Sequence, residues 1–282
     1  MTQNKKVWLA DAACLFTAVL WGAGFIASQW AINSGLNATA IMVGRFWLAA
    51  LIMLAVSLPK LRGVKKKDIL QGALAGVFLF FAFYAQILGQ GLTTVSHSAF
   101  LTSVNVIIVP FLVWAFTRRR PPVKVFLLAG LTLAGIGVLT LGGGAEAGIY
   151  AGDGLILLCA LGFALHIAYL GMAVKNADPR VVNLVQLCTA ALLSTAVLPF
   201  TGIGSPAAIN WGQGVAAVLY LGVFSTCICY FLQTTAQKYT SAGKASILLS
   251  TEGMFGTLFA VVLGFEPLTP HMVAGGGIIM LS

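Results

Sequence analysis

The sequence predicts an all-α integral membrane protein of ten transmembrane helices, arranged as two inverted five-helix repeats. Three observations carry this. Of 282 residues, 59% are hydrophobic and only 8% charged, whereas a soluble domain carries about 25% charged residues. The basic residues sort by alternate loops, as they do around membrane spans. Finally, one order of small, hydroxyl and amide residues recurs in the two halves of the chain.

Long apolar runs separated by short polar breaks fall at about residues 8–32, 38–58, 69–93, 98–116, 124–142, 152–174, 181–200, 211–235, 245–264 and from 271 onward. The first follows Asn4-Lys5-Lys6. It is too long for a signal-peptide core and no polar mature sequence succeeds it, so it reads as an uncleaved helix. The second runs from Ala38 toward Pro59, and the third follows Lys65-Lys66-Lys67 and carries the close-packing pattern Gly72-x-x-x-Gly76. The fourth ends before Arg118-Arg119-Arg120, and the fifth starts beyond it. The sixth and seventh flank Lys175 and Arg180, the eighth opens at Trp211, and the ninth follows Lys244. The tenth has 12 residues from His271 to Ser282. That is about 18 Å of helix against roughly 30 Å of hydrocarbon, so the natural protein is expected to continue past Ser282. Ten spans of about 20 residues leave no room for a separate soluble domain.

With the N-terminus inside, the inner segments collect Lys5, Lys6, Lys60, Arg62, Lys65, Lys66, Lys67, Arg118, Arg119, Arg120, Lys124, Lys175, Arg180, Lys238 and Lys244. Of the 16 basic residues only Arg45, inside the second span, is left over. The net charge of +9 therefore reflects membrane sidedness rather than a nucleic-acid surface, and both termini are expected in the cytoplasm of a bacterial-type inner membrane. Cys14, Cys159, Cys188, Cys227 and Cys229 all lie in apolar runs, with neither the number nor the spacing of a disulfide framework or a zinc site.

Ala49-Ala50-Leu51-Ile52, with Ala55-Val56 and Pro59, matches Ala190-Ala191-Leu192-Leu193, with Ala196-Val197 and Pro199, the first residues lying 141 apart. Gln90, Ala99, Leu101 and Ser103 lie over Gln237, Ser246, Leu248 and Ser250 at a separation of 147. The repeats are assigned to residues 1–142 and 143–282. Five spans per repeat is an odd number, which turns the second repeat upside down relative to the first. Inverted repeats are typical of secondary transporters, whose halves exchange conformations to open alternately to either side, and some channels share them.

Polar residues inside the hydrocarbon are functional suspects, since an unpaired polar group there costs several kcal/mol. Glu252 lies about 10 Å along the ninth span and Arg45 at a similar depth from the other face. Their opposite depths leave direct pairing open. Glu252 suits proton transfer or a substrate ammonium, or else stays protonated and hydrogen-bonded between helices, and its repeat equivalent Asn105 reads equally as a substrate contact or an interhelical hydrogen bond. Phe83, Gln86 and Gln90 form a helical stripe matched by Tyr230, Gln233 and Gln237, and the amides are expected to face packed helices or a cavity. Ser246, Ser250, Gly253 and Thr257, like Ala99, Ser103, Val106 and Pro110, read as packing faces. His166, beside Tyr169, is a satisfied bundle residue or a proton relay. Trp21 and Tyr84 are candidate aromatic walls.

Leu20-Trp21-Gly22 with Phe25, Arg45-Phe46, Ser98-Ala99-Phe100-Leu101-Thr102, and Thr251-Glu252-Gly253 followed by Gly264-Phe265-Glu266-Pro267-Leu268-Thr269 resemble the EamA-type branch of the drug/metabolite transporter superfamily. The resemblance covers nearly the whole chain in two copies. It implies a ten-helix carrier, commonly an exporter of amino acids or related small molecules, with a cavity lined by the first, third, fourth, sixth, eighth and ninth helices. It implies for Arg45 a role tying helix ends, with a clamp on a substrate carboxylate as the alternative. Where the family has Glu-Pro this chain has Glu252-Gly253, so no kink at Glu252 is required.

Substrate-pathway candidates are thus Glu252, Asn105, Gln86, Tyr84, Trp21, His166, Tyr230, Gln233 and Arg45. No ATP-binding, zinc-protease or nucleophile-elbow motif is present, so the chain reads as a non-enzyme with no metal site and no organic cofactor, driven by the substrate gradient or by protons. Its partners are a small-molecule substrate, protons as the candidate coupling ion and membrane lipid, with no nucleic acid, and it works as a monomer or weak homo-oligomer. A channel or lipid scramblase is the second reading and an intramembrane enzyme the third.

Overall fold

The computed structural model describes residues 3–118, 120–141 and 149–281. Arg119, Ser282 and the proposed boundary between residues 142 and 143 lie outside them. The helices are α1 (Gln3–Asn33), α2 (Ala38–Ser57), α3 (Lys66–Gln90), α4 (Val95–Thr117), α5 (Val123–Leu141), α6 (Asp153–Ala173), α7 (Pro179–Thr201), α8 (Trp211–Ala236), α9 (Ala242–Val262) and α10 (Pro270–Leu281). No strand occurs among the described residues. Helices satisfy every backbone group internally, which lipid demands. Their exposed first amides are met by side chains. Asn37, Thr94, Asp178, Asn210 and Ser241 accept from the amides of Ala40, His97, Arg180, Gln213 and Lys244, which start α2, α4, α7, α8 and α9.

Eight helices, all but α5 and α10, are long and apolar enough to cross a membrane. Their outer faces carry exposed large apolar residues such as Leu70 at 69% and Phe200 at 88%, which water would not tolerate in such number. The inside is the polar part: Arg45, Asn105, His166, Asn183, Gln186, Gln233, Gln237 and Glu252 are all buried. The chain is an integral membrane protein.

The packing pairs come in matched sets. α3 lies on α6 and α7, while α8 lies on α1 and α2; α4 contacts α6, while α9 contacts α1; α4 crosses α9, and α5 pairs with α10. Small residues set the closest approaches. A Cβ on Gly76 would stand 2.6 Å from the Gln186 carbonyl oxygen, and one on Gly72 would stand 2.9 Å from that of Val182, so the glycine pair of α3 is the seat of α7. Where α4 and α9 cross, Ser103 Oγ donates to the Ser250 carbonyl at 2.9 Å. These two serines are 147 residues apart and occupy the same place in the two matching stretches.

Both crossing helices are interrupted, α4 at Val104 and α9 at Thr251. The second break, beside Glu252-Gly253, forms without a proline. Side chains near the breaks bond back to carbonyls of the preceding turn. Ser103 Oγ also donates to Ala99 O (3.1 Å), Asn105 Nδ2 to Thr102 O (2.8 Å), Ser250 Oγ to Ile247 O (2.8 Å) and Thr251 Oγ1 to Leu248 O (2.7 Å). Such back-bonding competes with the helix ladder and bends it.

Candidate functional site

A central cavity opens between α1, α2, α3, α4, α6, α8 and α9, enclosing about 480 Å³ of space between atoms, its mouth included. The two helix breaks place Asn105 and Glu252 in its wall, each as the first residue of the helix segment that resumes. Glu252 is 6% exposed, and among the described residues its carboxylate has no hydrogen bond and no ion pair. Asn105 spends its amide nitrogen on Thr102 and keeps Oδ1 unpartnered.

Arg45 enters from α2 and is 1% exposed. Its Nε donates to Thr226 Oγ1 at 3.0 Å and its Nη2 to Ser225 Oγ at 3.3 Å, while the guanidinium carbon lies 4.0 Å from the centre of the Phe83 ring. A buried guanidinium normally takes a carboxylate. Here hydroxyls and an aromatic face hold it, and no carboxylate lies within 4.0 Å among the described residues. The acceptors come from a wide-turned π-helical segment of α8, Leu221–Ile228, which also offers the Ser225 carbonyl to Trp21 Nε1 at 2.8 Å. Such segments concentrate at functional sites.

The aromatic wall is a connected cluster. Tyr230 stands 5.2 Å from Trp21, 5.9 Å from Phe83 and 5.6 Å from His166, and Phe83 stands 4.9 Å from Phe163. The Tyr230 hydroxyl and Gln233 Oε1 are buried without partners.

Of the nine candidates, the structure brings seven to this cavity: Trp21, Arg45, Gln86, Asn105, Tyr230, Gln233 and Glu252. Tyr84 lies outside the lining, stacked on Phe80 with its hydroxyl 3.2 Å from Thr39 Oγ1. His166 sits one layer behind Tyr230, its Nε2 2.9 Å from Gln186 Oε1, in a network with Asn183 and Thr234. The glutamine stripes divide. Gln86 and Gln233 reach the cavity, whereas Gln90 Nε2 donates to Phe25 O (2.7 Å) and Gln237 Nε2 to Ile167 O (2.9 Å), clasping α3 to α1 and α8 to α6. Sequence reasoning missed Ser225 and Thr226. The available signal was a lone intramembrane arginine, which needs acceptors, and two adjacent hydroxyls in the otherwise apolar stretch from Leu221 to Cys229. Among the described residues there is no group of three His, Cys, Asp or Glu that could hold a metal.

The sequence profile of the EamA-like transporter family matches residues 8–141 and again residues 150–282. The chain belongs to this family. An "Uncharacterized transporter" of Archaeoglobus fulgidus is 30% identical over 285 residues, covering 99% of this chain and 86% of that protein. A second from the same archaeon is 23% identical over 278 residues, covering 98% and 97%. The "Uncharacterized transporter YwfM" of Bacillus subtilis is 27% identical over 176 residues, covering 62% and 58%. A solved crystal structure matches with a TM-score of 0.72 at 17% identity, covering 96% of this chain and 93% of that one, which is a likeness of fold. The chain is thus a membrane transporter built on the EamA fold.

Proposed function

We propose that this EamA-family chain is a ten-span secondary carrier, its two five-helix repeats inverted, that moves a small amphipathic metabolite, an amino acid or related compound, by alternating access. It works in a bacterial-type inner membrane with both termini cytoplasmic, as a monomer or weak homo-oligomer, drawing on the substrate gradient or on protons. The matched packing pairs, the breaks 147 residues apart and the Ser103–Ser250 contact support the inverted arrangement.

The observation that carries the functional reading is the content of the cavity: an unpartnered carboxylate and a carboxylate-free guanidinium in one aromatic-walled space. A carboxylate desolvated without a partner must be neutralised from elsewhere. A proton or a substrate ammonium can each do this, and competition between them at Glu252 couples the two fluxes. Unpartnered acceptors on Asn105, Gln233 and Tyr230 suit the remaining donors of an ammonium, and the planar fork of Arg45 suits a carboxylate. Trp21, Phe83 and Phe163 take the apolar part.

In liposomes, unlabelled amino acid trapped inside should accelerate uptake of the labelled compound, and Glu252→Gln should remove proton-driven accumulation. Uptake that never saturates and ignores the trapped compound would identify a pore instead. Unchanged proton-driven accumulation by the variant would reject the coupling role of Glu252.

A further inference from the structure

Away from the cavity, two polar clusters tie the starts of the interrupted helices to their neighbours. Where α4 begins, Asp153 at the start of α6 accepts from Thr93 Oγ1 at 2.5 Å and from the Tyr150 amide at 3.0 Å, and its Oδ2 lies 3.4 Å from His97 Nδ1. Where α9 begins, Asp11 near the start of α1 accepts from Thr240 Oγ1 at 3.4 Å and from Lys244 Nζ at 2.6 Å. These are one cluster built twice. Thr93 and His97 precede Thr240 and Lys244 by 147 residues, and Asp11 precedes Asp153 by 142. The same two offsets relate the Gln90–Phe25 clasp to the Gln237–Ile167 clasp.

The clusters stand at opposite ends of the cavity. The first segment of α4 packs against the last segment of α9, and the first of α9 against the last of α4, so the two helices run antiparallel and their starts point apart. Each cluster joins a broken helix that carries a cavity residue to an unbroken neighbour from the other half of the chain. Separating α4 from α6, or α9 from α1, requires breaking it.

The two differ in state and in chemistry. The side chains of His97 and Asp153 are 7% and 5% exposed, with the Tyr150 ring edge-on to the imidazole at 5.0 Å. Those of Lys244 and Asp11 are 50% and 20% exposed. Lysine is a fixed cation at physiological pH, whereas histidine is the side chain whose charge ordinarily changes there.

We propose that the Thr93–His97–Asp153 and Thr240–Lys244–Asp11 clusters are the latches of the two gates, each holding one end of the cavity closed. The inference rests on the alternating-access reading.

The test needs no substrate. A Gln86→Cys variant in oriented vesicles is treated with a membrane-impermeant maleimide from one face or the other, above the background of the five native thiols. Asp153→Asn should raise labelling from the His97 face, and Asp11→Asn that from the Lys244 face, each by about tenfold, since a charge-assisted hydrogen bond is lost. The milder Thr93→Val and Thr240→Val should follow in the same directions and cover the case of an aspartate variant that fails to fold. If the variants of both clusters act on one face, or neither acts, the latches are refuted and the carrier reading stands. A cavity thiol reached from neither face in every variant overturns latches and carrier together.

Discussion

The first and second halves of this protein differ less in backbone than in charge. α4 and α9 each start from a hydroxyl cap, break after nine residues and meet at paired serines. The residue that follows the break is Asn105 in one and Glu252 in the other, and the residue three positions after the cap is His97 in one and Lys244 in the other. The duplicated frame is what the bilayer requires of any pair of crossing helices. Chemistry resides where the copies disagree, because a single asymmetric solute near the pseudo-axis has no use for two identical walls.

Moving the carboxylate tests this most severely. Glu252→Asn makes the two walls alike and should reduce trans-stimulated exchange at least about tenfold, equivalent to ~1.4 kcal/mol. Adding Asn105→Asp returns a carboxylate to the matching place in the other half. Recovery of most of the exchange would show that the distance from the pseudo-axis decides. Continued inactivity of a stably folded double variant would tie the function to the surroundings of α9.

A second contrast sets a crowded glycine against an open one. Gly76 faces the Gln186 carbonyl and Thr189, whereas a Cβ on Gly130 of α5 would meet nothing within 4 Å. Gly76→Leu should therefore destabilise by about 1–3 kcal/mol through overpacking, read as a lower thermal midpoint in detergent. Gly130→Ala should leave the midpoint unchanged or raise it slightly, since alanine is the better helix former. Equal midpoints would mean that the α3–α7 seat is not as tight as drawn.

Much of this was legible in the residues. Apolar length located the eight long helices, and the cost of polar groups in hydrocarbon marked Glu252 and Arg45. The small-residue stripes marked packing faces, and the structure supplies their partners at the α4–α9 crossing and the α3–α7 seat. What the residues could not disclose were choices made by partners. Gln86 and Gln90 share one helical stripe, yet Gln90 turns to the Phe25 carbonyl because α1 passes there. His166 and Tyr84 are as polar as the lining residues but find Gln186 and Thr39 first. The π-helical stretch of α8 has no local signature, being stabilised by what Arg45 and Trp21 take from it. Arg45 and Glu252, read from opposite faces, converge on one cavity because each lies about a third of the way through roughly 30 Å.

The smallest effect is also the most exacting check on equivalence. Gln90→Leu and Gln237→Leu each remove one amide-to-carbonyl clasp, from Phe25 and from Ile167. Those carbonyls lie within helices, so the loss should be near the ~0.6 kcal/mol average for hydrogen bonds between membrane helices and below about 1.7. The two variants should lower the thermal midpoint by amounts equal within the error of the measurement, because both clasps join the same pair of positions in each half. A loss severalfold larger at one site would mean that the halves have diverged in how they hold their helices as well as in what they present to the solute. The offsets of 147 and 142 would then describe the backbone path alone.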